Sequence, residues 1–301
     1  MTVAILGPTA SGKSTVAMAV ARALGRTEIV AVDAFQVYRG MDIGTAKPSP
    51  ADRAEVVHHC LDLVDPADDI SVVDYRHAYD AAMVAIGERG HRALLVGGTG
   101  LYLRVAIDRL DPPGAWPAVR DALDAEPDTA RLYERLRQLD PAGAAKMEPG
   151  NRRRVLRALE VCVGSGQPFS TFGPGLDAYP SNGVVQVGLR WRREALARRI
   201  EERFAALLDA GFPDEVRALA ARPAGLSRTA RQGIGYAELL DVIAGRATLA
   251  EATVQAVART RRFATRQERW FRRDPRVHWV DVDDDPLAAV PTVIGALTAC
   301  V

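Results

Sequence analysis

The sequence predicts an α/β protein: a P-loop, NTPase-like, doubly wound parallel sheet carrying a helical insertion domain. Three observations predict it. Gly7-x4-Gly12-Lys13-Ser14 follows an apolar run and precedes a helical pattern, apolar runs alternate with amphipathic stretches, and breaker-rich segments bracket a helical tract in mid-chain.

Thr2-Val3-Ala4-Ile5-Leu6 reads as a strand running into the Gly-rich loop, and Thr15–Leu24 as a helix stopped by Gly25. Glu28–Val32 reads as a second strand ending at Asp33, and Val72–Ile86 as a helix. Ala93–Val96 reads as a third strand ending in Gly97-Gly98-Thr99-Gly100. The rhythm breaks at Asp111-Pro112-Pro113-Gly114. Helical patterns follow over Val119–Ala125, Thr129–Leu139 and Arg152–Val163, then a loop from Gly164 to Gly183. Val184–Leu189 returns as a strand, followed by amphipathic helices over Arg193–Ala210 and Leu249–Arg273. The expected organisation is a core of 1–112 and 184–301 interrupted by an insertion of 113–183.

The 301 residues are 48% hydrophobic and 26% charged, enough for a large core and too apolar for disorder. No apolar run approaches the roughly 20 residues of a membrane span, and no leader pattern opens the chain, so a cytoplasmic protein is expected. Cys60, Cys162 and Cys300 lack metal-ligand spacing and leave an odd one over, so reduced thiols are expected. Net charge is only +1, but the positive surplus lies in the C-terminal third. Basic residues are nearly all Arg, with Lys only at Lys13, Lys47 and Lys146.

The loop pattern implies phosphate binding by inward backbone N–H groups, a helix N-terminus and the Lys13 charge, with the Ser14 hydroxyl available to Mg²⁺. A hydrolase would end a neighbouring strand in an acid; Ala93–Val96 runs instead into Gly97-Gly98-Thr99. Asp33 and Thr99 remain at the strand ends, where open sheets place ligands. Asp33 suits a proton acceptor, a helix cap or a Mg²⁺ ligand, and Thr99 suits a hydrogen-bonding or turn hydroxyl. Arg152-Arg153-Arg154 with Arg157, and the stripe Arg259, Arg262, Arg266, Arg269 and Arg273 beside Phe263 and Trp270, suit an RNA groove or a solvated face. Adjacent His58 and His59 do not converge on one metal and are assigned a structural role.

Several segments together resemble the tRNA dimethylallyltransferase family, also called tRNA isopentenyltransferases or IPP transferases. They are the P-loop Gly7 to Ser14, Asp33-Ala34-Phe35-Gln36 on to Pro48, His58-His59, Gly97 to Tyr102, Asn151 to Glu160, Gly233-Ile234-Gly235-Tyr236, and Arg266 to Arg272. The resemblance implies transfer of a dimethylallyl group from dimethylallyl diphosphate to N6 of the adenosine 3′ of the tRNA anticodon. It gives Asp33 as the acceptor for the amine and Thr99 as a helper at the diphosphate. It implies that Gly7, Pro8, Thr9, Ala10, Ser11, Gly12, Lys13 and Ser14, with Arg203, hold the diphosphate, and that Mg²⁺ sits at Ser14. For tRNA it implies Asp33, Ala34, Phe35, Gln36, Thr99, Arg120, Arg153, Arg154, Arg157, Arg231, Gln232, Gly233 and Tyr236. The family usually has Ser after the catalytic Asp, where this chain has Ala34. A monomer is expected. The rival readings are a P-loop kinase for a small molecule or nucleotide, and a non-catalytic RNA-binding module.

Overall fold

The computed structural model describes residues 2–110, 112–172 and 178–299, which leaves Asp111, part of the Gly164–Gly183 loop and Cys300 outside the described residues. They form two compact units: Met1–Asp108 with Ser181–Val301, and Arg109–Pro180.

The first unit is a six-stranded sheet of β1 (Thr2–Leu6), β2 (Thr27–Val32), β3 (His58–His59), β4 (Arg92–Gly97), β5 (Val184–Trp191) and β6 (Val277–Val282). Its spatial order is β3-β2-β4-β1-β5-β6, and every pairing is parallel. Central strands buried on both faces read as continuous apolar runs; β2 is buried throughout and is apolar from Ile29 to Val32. Alternate side chains separate into two cores. Ala4, Leu6, Val30, Val32 and Leu95 join one, packed by α3 (Val72–Glu88), α4 (Gly100–Ile107), α10 (Phe212–Ala220), α11 (Tyr236–Ile243) and α12 (Leu249–Phe271). Val3, Ile5, Ile29, Leu94 and Val96 join the other, packed by α1 (Lys13–Leu24), α9 (Arg193–Asp209) and α13 (Val290–Thr298). A short helix α2 (Pro50–Glu55) precedes β3.

Two strands escaped the periodicity. β3 is only two residues long, too short to alternate, and it places His59 beside the buried Glu28 carboxylate at 2.6 Å. Glu28 also takes a bidentate pair from Arg89 and a bond from His91, and Arg89 above all holds its carboxyl down at about 2. β6 lies at the opposite sheet edge, paired with β5.

β2 and β4 approach so closely that a Cβ on Gly97 would lie 2.0 Å from the Val32 carbonyl oxygen. That oxygen is backbone and has nowhere to go. Gly97→Ala is therefore expected to cost about 3 kcal/mol of stability, read as a lower urea midpoint with an unchanged m-value.

The second unit comprises α5 (Pro117–Asp124), α6 (Thr129–Leu139), α7 (Pro141–Ala144) and α8 (Arg152–Ser165) around Leu132, Leu136, Val155 and Leu159. Buried Asp140 ties it together, accepting bonds from Gly143 N at 2.8 Å, Ser170 N at 2.7 Å and Ser170 Oγ at 2.6 Å. Cys60 and Cys162 are free and buried, and burial pushes the Cys60 thiol up to about 12. Among the described residues no helix is long and apolar enough to cross a membrane.

Candidate active site

The loop from Gly7 to Gly12 turns through left-handed backbone at Ala10 (φ 63°) and Gly12 (φ 84°) and enters α1, whose first turn carries no acid. The positive end of that helix is thus left for an anion. Lys13 Nζ donates to the Pro8 carbonyl at 2.7 Å. Its ammonium is pushed down to about 7, chiefly by burial and then by Arg203, with Asp33 opposing. Arg203 is likewise lowered by burial while Asp33 raises it and Arg199 lowers it. Arg199 and Arg203 lie one helical turn apart on α9 and both face the loop. Arg199 donates to the Ala10 carbonyl at 3.0 Å and stacks 4.4 Å over Trp191, whose indole N–H donates to the Ser11 carbonyl at 3.1 Å.

Asp33 leaves β2 opposite the end of β4, where Val32 pairs with Gly97. Its Oδ1 accepts from Phe35 N at 2.8 Å and Gln36 N at 3.2 Å, while Oδ2 takes no hydrogen bond among the described residues. One oxygen holds the turn; the other is free for chemistry. Thr99 Oγ1 accepts from Ala34 N at 3.2 Å, joining the two strand ends. The joint runs through a backbone N–H, so alanine at position 34 preserves it.

The segment after Asp33 is held by partly buried polar anchors. Gln36 Nε2 donates to the Thr45 and Ala46 carbonyls at 3.1 and 3.2 Å, and Lys47 Nζ reaches the Tyr38 carbonyl, Asp42 and Asp62. Glu215, far along the chain, accepts from the amides of Asp42, Ile43 and Gly44 at 2.8, 2.6 and 3.1 Å.

These elements enclose a cavity of about 670 Å³ lined by Thr9, Ala10, Gly12, Lys13, Ser14, Asp33, Gln36, Arg199, Arg203, Phe263 and Gln267 among others. Lys13, Arg199 and Arg203 converge there with Asp33, while Arg22, Lys47 and Asp52 border the same cavity. Gln267 closes the wall, its Oε1 accepting from Thr9 N at 2.8 Å and its Nε2 donating to the Gly98 carbonyl at 3.0 Å. The sequence assigned no role to Arg199 or to Gln267, although Gln267 lies in the Arg266–Arg272 segment that carries the resemblance; for Arg199 the i, i+4 relation to Arg203 was the available signal.

Not every expected contact residue lines the cavity. Gly7, Pro8 and Ser11 are buried behind the loop and do not line the cavity, so they shape the loop. Ala34, Phe35 and Thr99 also lie outside the lining. Tyr236 is only 1% exposed, packed edge-on 4.8 Å from Phe212, and its hydroxyl donates to Glu215 at 2.6 Å, so it supports the 42–44 loop. Gly233 is buried; Arg231 and Gln232 are exposed, with Arg231 Nε bonded to the Leu226 carbonyl at 2.9 Å. In the helical unit, Arg120 and Arg157 pair with the buried Glu160 at 3.7 and 2.8 Å, which commits both to structure. Arg153 and Arg154 are exposed and take no ion pair among the described residues. On α12, Arg259 pairs with Glu238, whereas Arg262, Arg266 and Arg269, and Arg273 just past the helix end, are exposed and take none among the described residues.

The IPP transferase family model matches residues 36–274, and the isopentenyl transferase model residues 1–62. The chain is 46% identical to a tRNA dimethylallyltransferase of Kineococcus radiotolerans over 98% of this chain and 96% of the relative. It is 45% identical to one of Acidothermus cellulolyticus over 99% and 94%. Among solved structures it is similar to the tRNA isopentenylpyrophosphate transferase of Bacillus halodurans, with TM-score 0.71 and 34% identity over 99% of this chain and 95% of that one. A eukaryotic dimethylallyltransferase acting on tRNA aligns with TM-score 0.80 and 25% identity over 98% of this chain and 77% of that one.

Proposed function

The chain belongs to the IPP transferase family of tRNA dimethylallyltransferases, and we infer from that membership and the cavity that it is an enzyme prenylating tRNA. The donor is dimethylallyl diphosphate, and the acceptor is N6 of the adenosine 3′ of the anticodon. A basic cavity in which Asp33 keeps one carboxylate oxygen free carries this reading. The amine attacks C1 of the dimethylallyl group, the C1–O bond breaks with its electron pair going to diphosphate, and the amine proton passes to Asp33 Oδ2. An exocyclic adenine amine is a weak nucleophile, because its lone pair is delocalised into the ring, so a stabilised leaving group is essential. Lys13, Arg199, Arg203 and the amides at the head of α1 supply that stabilisation. Thr99 holds Ala34 N and so fixes Asp33 beside the phosphate loop.

The exposed Ser14 hydroxyl opens on the cavity, and no cluster of acids competes for a cation among the described residues. That donor fits Mg²⁺: Ser14 would hold the ion, which would supply charge neutralisation at the leaving group. The target base must leave its stack to enter the cavity, at a cost of a few kcal/mol. Phosphate contacts by Arg153, Arg154 and the free arginines of α12 offset this cost. We place the enzyme in the cytoplasm, as a monomer, with the helical unit gripping the anticodon stem-loop.

The test is incubation with Mg²⁺, radiolabelled dimethylallyl diphosphate and an anticodon stem-loop containing the target adenosine, beside a parallel reaction with labelled ATP. Label in the RNA is expected. Phosphate transfer from ATP with no label in RNA would sink the proposal in favour of a kinase.

A further inference from the structure

Gln267 lies on the inner face of α12, 7% exposed, and its one side-chain amide satisfies two backbone groups on different elements. Oε1 receives the Thr9 N–H of the phosphate loop, and Nε2 donates to the Gly98 carbonyl in the turn that leads to Thr99. The packing leaves this amide no alternative seat: a Cβ on Gly98 would lie 2.2 Å from Nε2. One turn further along the helix, a Cβ on Gly100 would lie 2.0 Å from Trp270 Nε1, so α12 clamps the same turn twice. From Gly98 the connection continues through Thr99 Oγ1 to Ala34 N and so to Asp33. A continuous path of hydrogen bonds and covalent links thus joins the phosphate loop to the proton acceptor, with Gln267 as its only side chain from α12.

We infer that Gln267 is a positioning residue for the transfer step, setting the separation between the bound diphosphate and the Asp33–Thr99 pair. The inference rests on the tRNA-prenylation reading above. It acts on geometry rather than on affinity. Thr9 N is spent on Gln267 and not on phosphate, and the charges that hold diphosphate come from Lys13, Arg199 and Arg203. Loss of the amide lets the loop and the β4 turn drift apart, and a displacement of about 1 Å between reacting groups costs on the order of 100-fold in rate.

Gln267→Met keeps the volume and removes both hydrogen bonds; Gly98→Ala leaves Gln267 in place and displaces its amide from the other side. Each variant is assayed with labelled dimethylallyl diphosphate and stem-loop, active-site concentration being fixed by calorimetric titration with diphosphate. Wild-type turnover is measured first, and its absence overturns the prenylation reading and this inference with it. With an active wild type, each variant is expected to lose about 100-fold in kcat while KM for the stem-loop and diphosphate affinity hardly change. The double variant is expected to be no slower than the slower single one, since both break one connection. Wild-type kcat in either variant overturns the inference, and so does a joint fall of kcat, diphosphate affinity and melting temperature, the signature of a merely structural side chain.

Discussion

Asp33→Asn is expected to lower the single-turnover rate of prenyl transfer by about 1000-fold, within the range that a positioned general base contributes. The substitution isolates chemistry from architecture. Asparagine retains Oδ1, so the amides of Phe35 and Gln36 keep their acceptor and the turn after β2 persists. What disappears is the proton affinity of Oδ2. The melting temperature is therefore expected to stay within about 2 °C of wild type, and diphosphate binding to strengthen slightly as a negative charge leaves the cavity. Rapid-quench measurement with labelled donor and excess enzyme tests this directly. A rate within a few-fold of wild type would remove Asp33 as the acceptor and leave it as a turn residue. Asp33→Ala is the less informative change, because it also strips the turn of its cap, worth about 1 kcal/mol.

Lys13→Met is expected to weaken diphosphate binding by about 100-fold or more, the loss that follows when one partner of a desolvated charge pair is truncated. The same change is expected to stabilise the free protein. Burial and the neighbouring Arg203 hold Lys13 at about 7 in the folded chain against 10.5 in a solvated one. Between those values the unfolded chain carries a proton that the folded chain has released, so this group's contribution to stability grows with pH across that window and is missing below it. Methionine abolishes the slope. Melting curves at the two ends of the window, for wild type and variant, test the sign; a wild-type slope that survives in Lys13→Met would assign it elsewhere. Diphosphate affinity runs the opposite way in the wild type, weakening above about pH 7, where the free lysine must gain a proton to bind.

These two residues were legible in the sequence because their neighbourhoods are local. The P-loop is a contiguous strand, turn and helix head, and Asp33 and Thr99 stand at the ends of apolar runs that a parallel sheet brings together. What stayed hidden depends on partners far along the chain. Glu215 meets Asp42 N across 173 positions and also accepts from the Tyr236 hydroxyl, a link between the 42–44 loop and Tyr236 that no local pattern announces. Arginine is equally ambiguous by itself. Arg153 and Arg157 read alike, yet Arg157 has Glu160 one turn ahead of it, and together with Arg120 it is spent inside the helical unit. Gln267 escaped because an amide carries no charge pattern, and its value lies in reaching two backbones at once. Two-residue β3 is shorter than the period that would reveal it.

The central position of β1 sets a schedule for the growing polypeptide. β1 pairs on one side with β4 and on the other with β5, and the whole helical unit is synthesised between those two partners. At roughly 5–20 residues per second, several seconds pass in which β3, β2, β4 and β1 can already be assembled while the far edge of β1 has nothing to bind. During that interval the most apolar strand of the sheet is a temporary margin, open to any passing extended segment. The helical unit, with its own apolar interior, can mature in the meantime. Ribosome stalling anywhere before Val184 therefore exposes a sticky seam, and recruitment of chaperones to nascent chains of this enzyme should peak there.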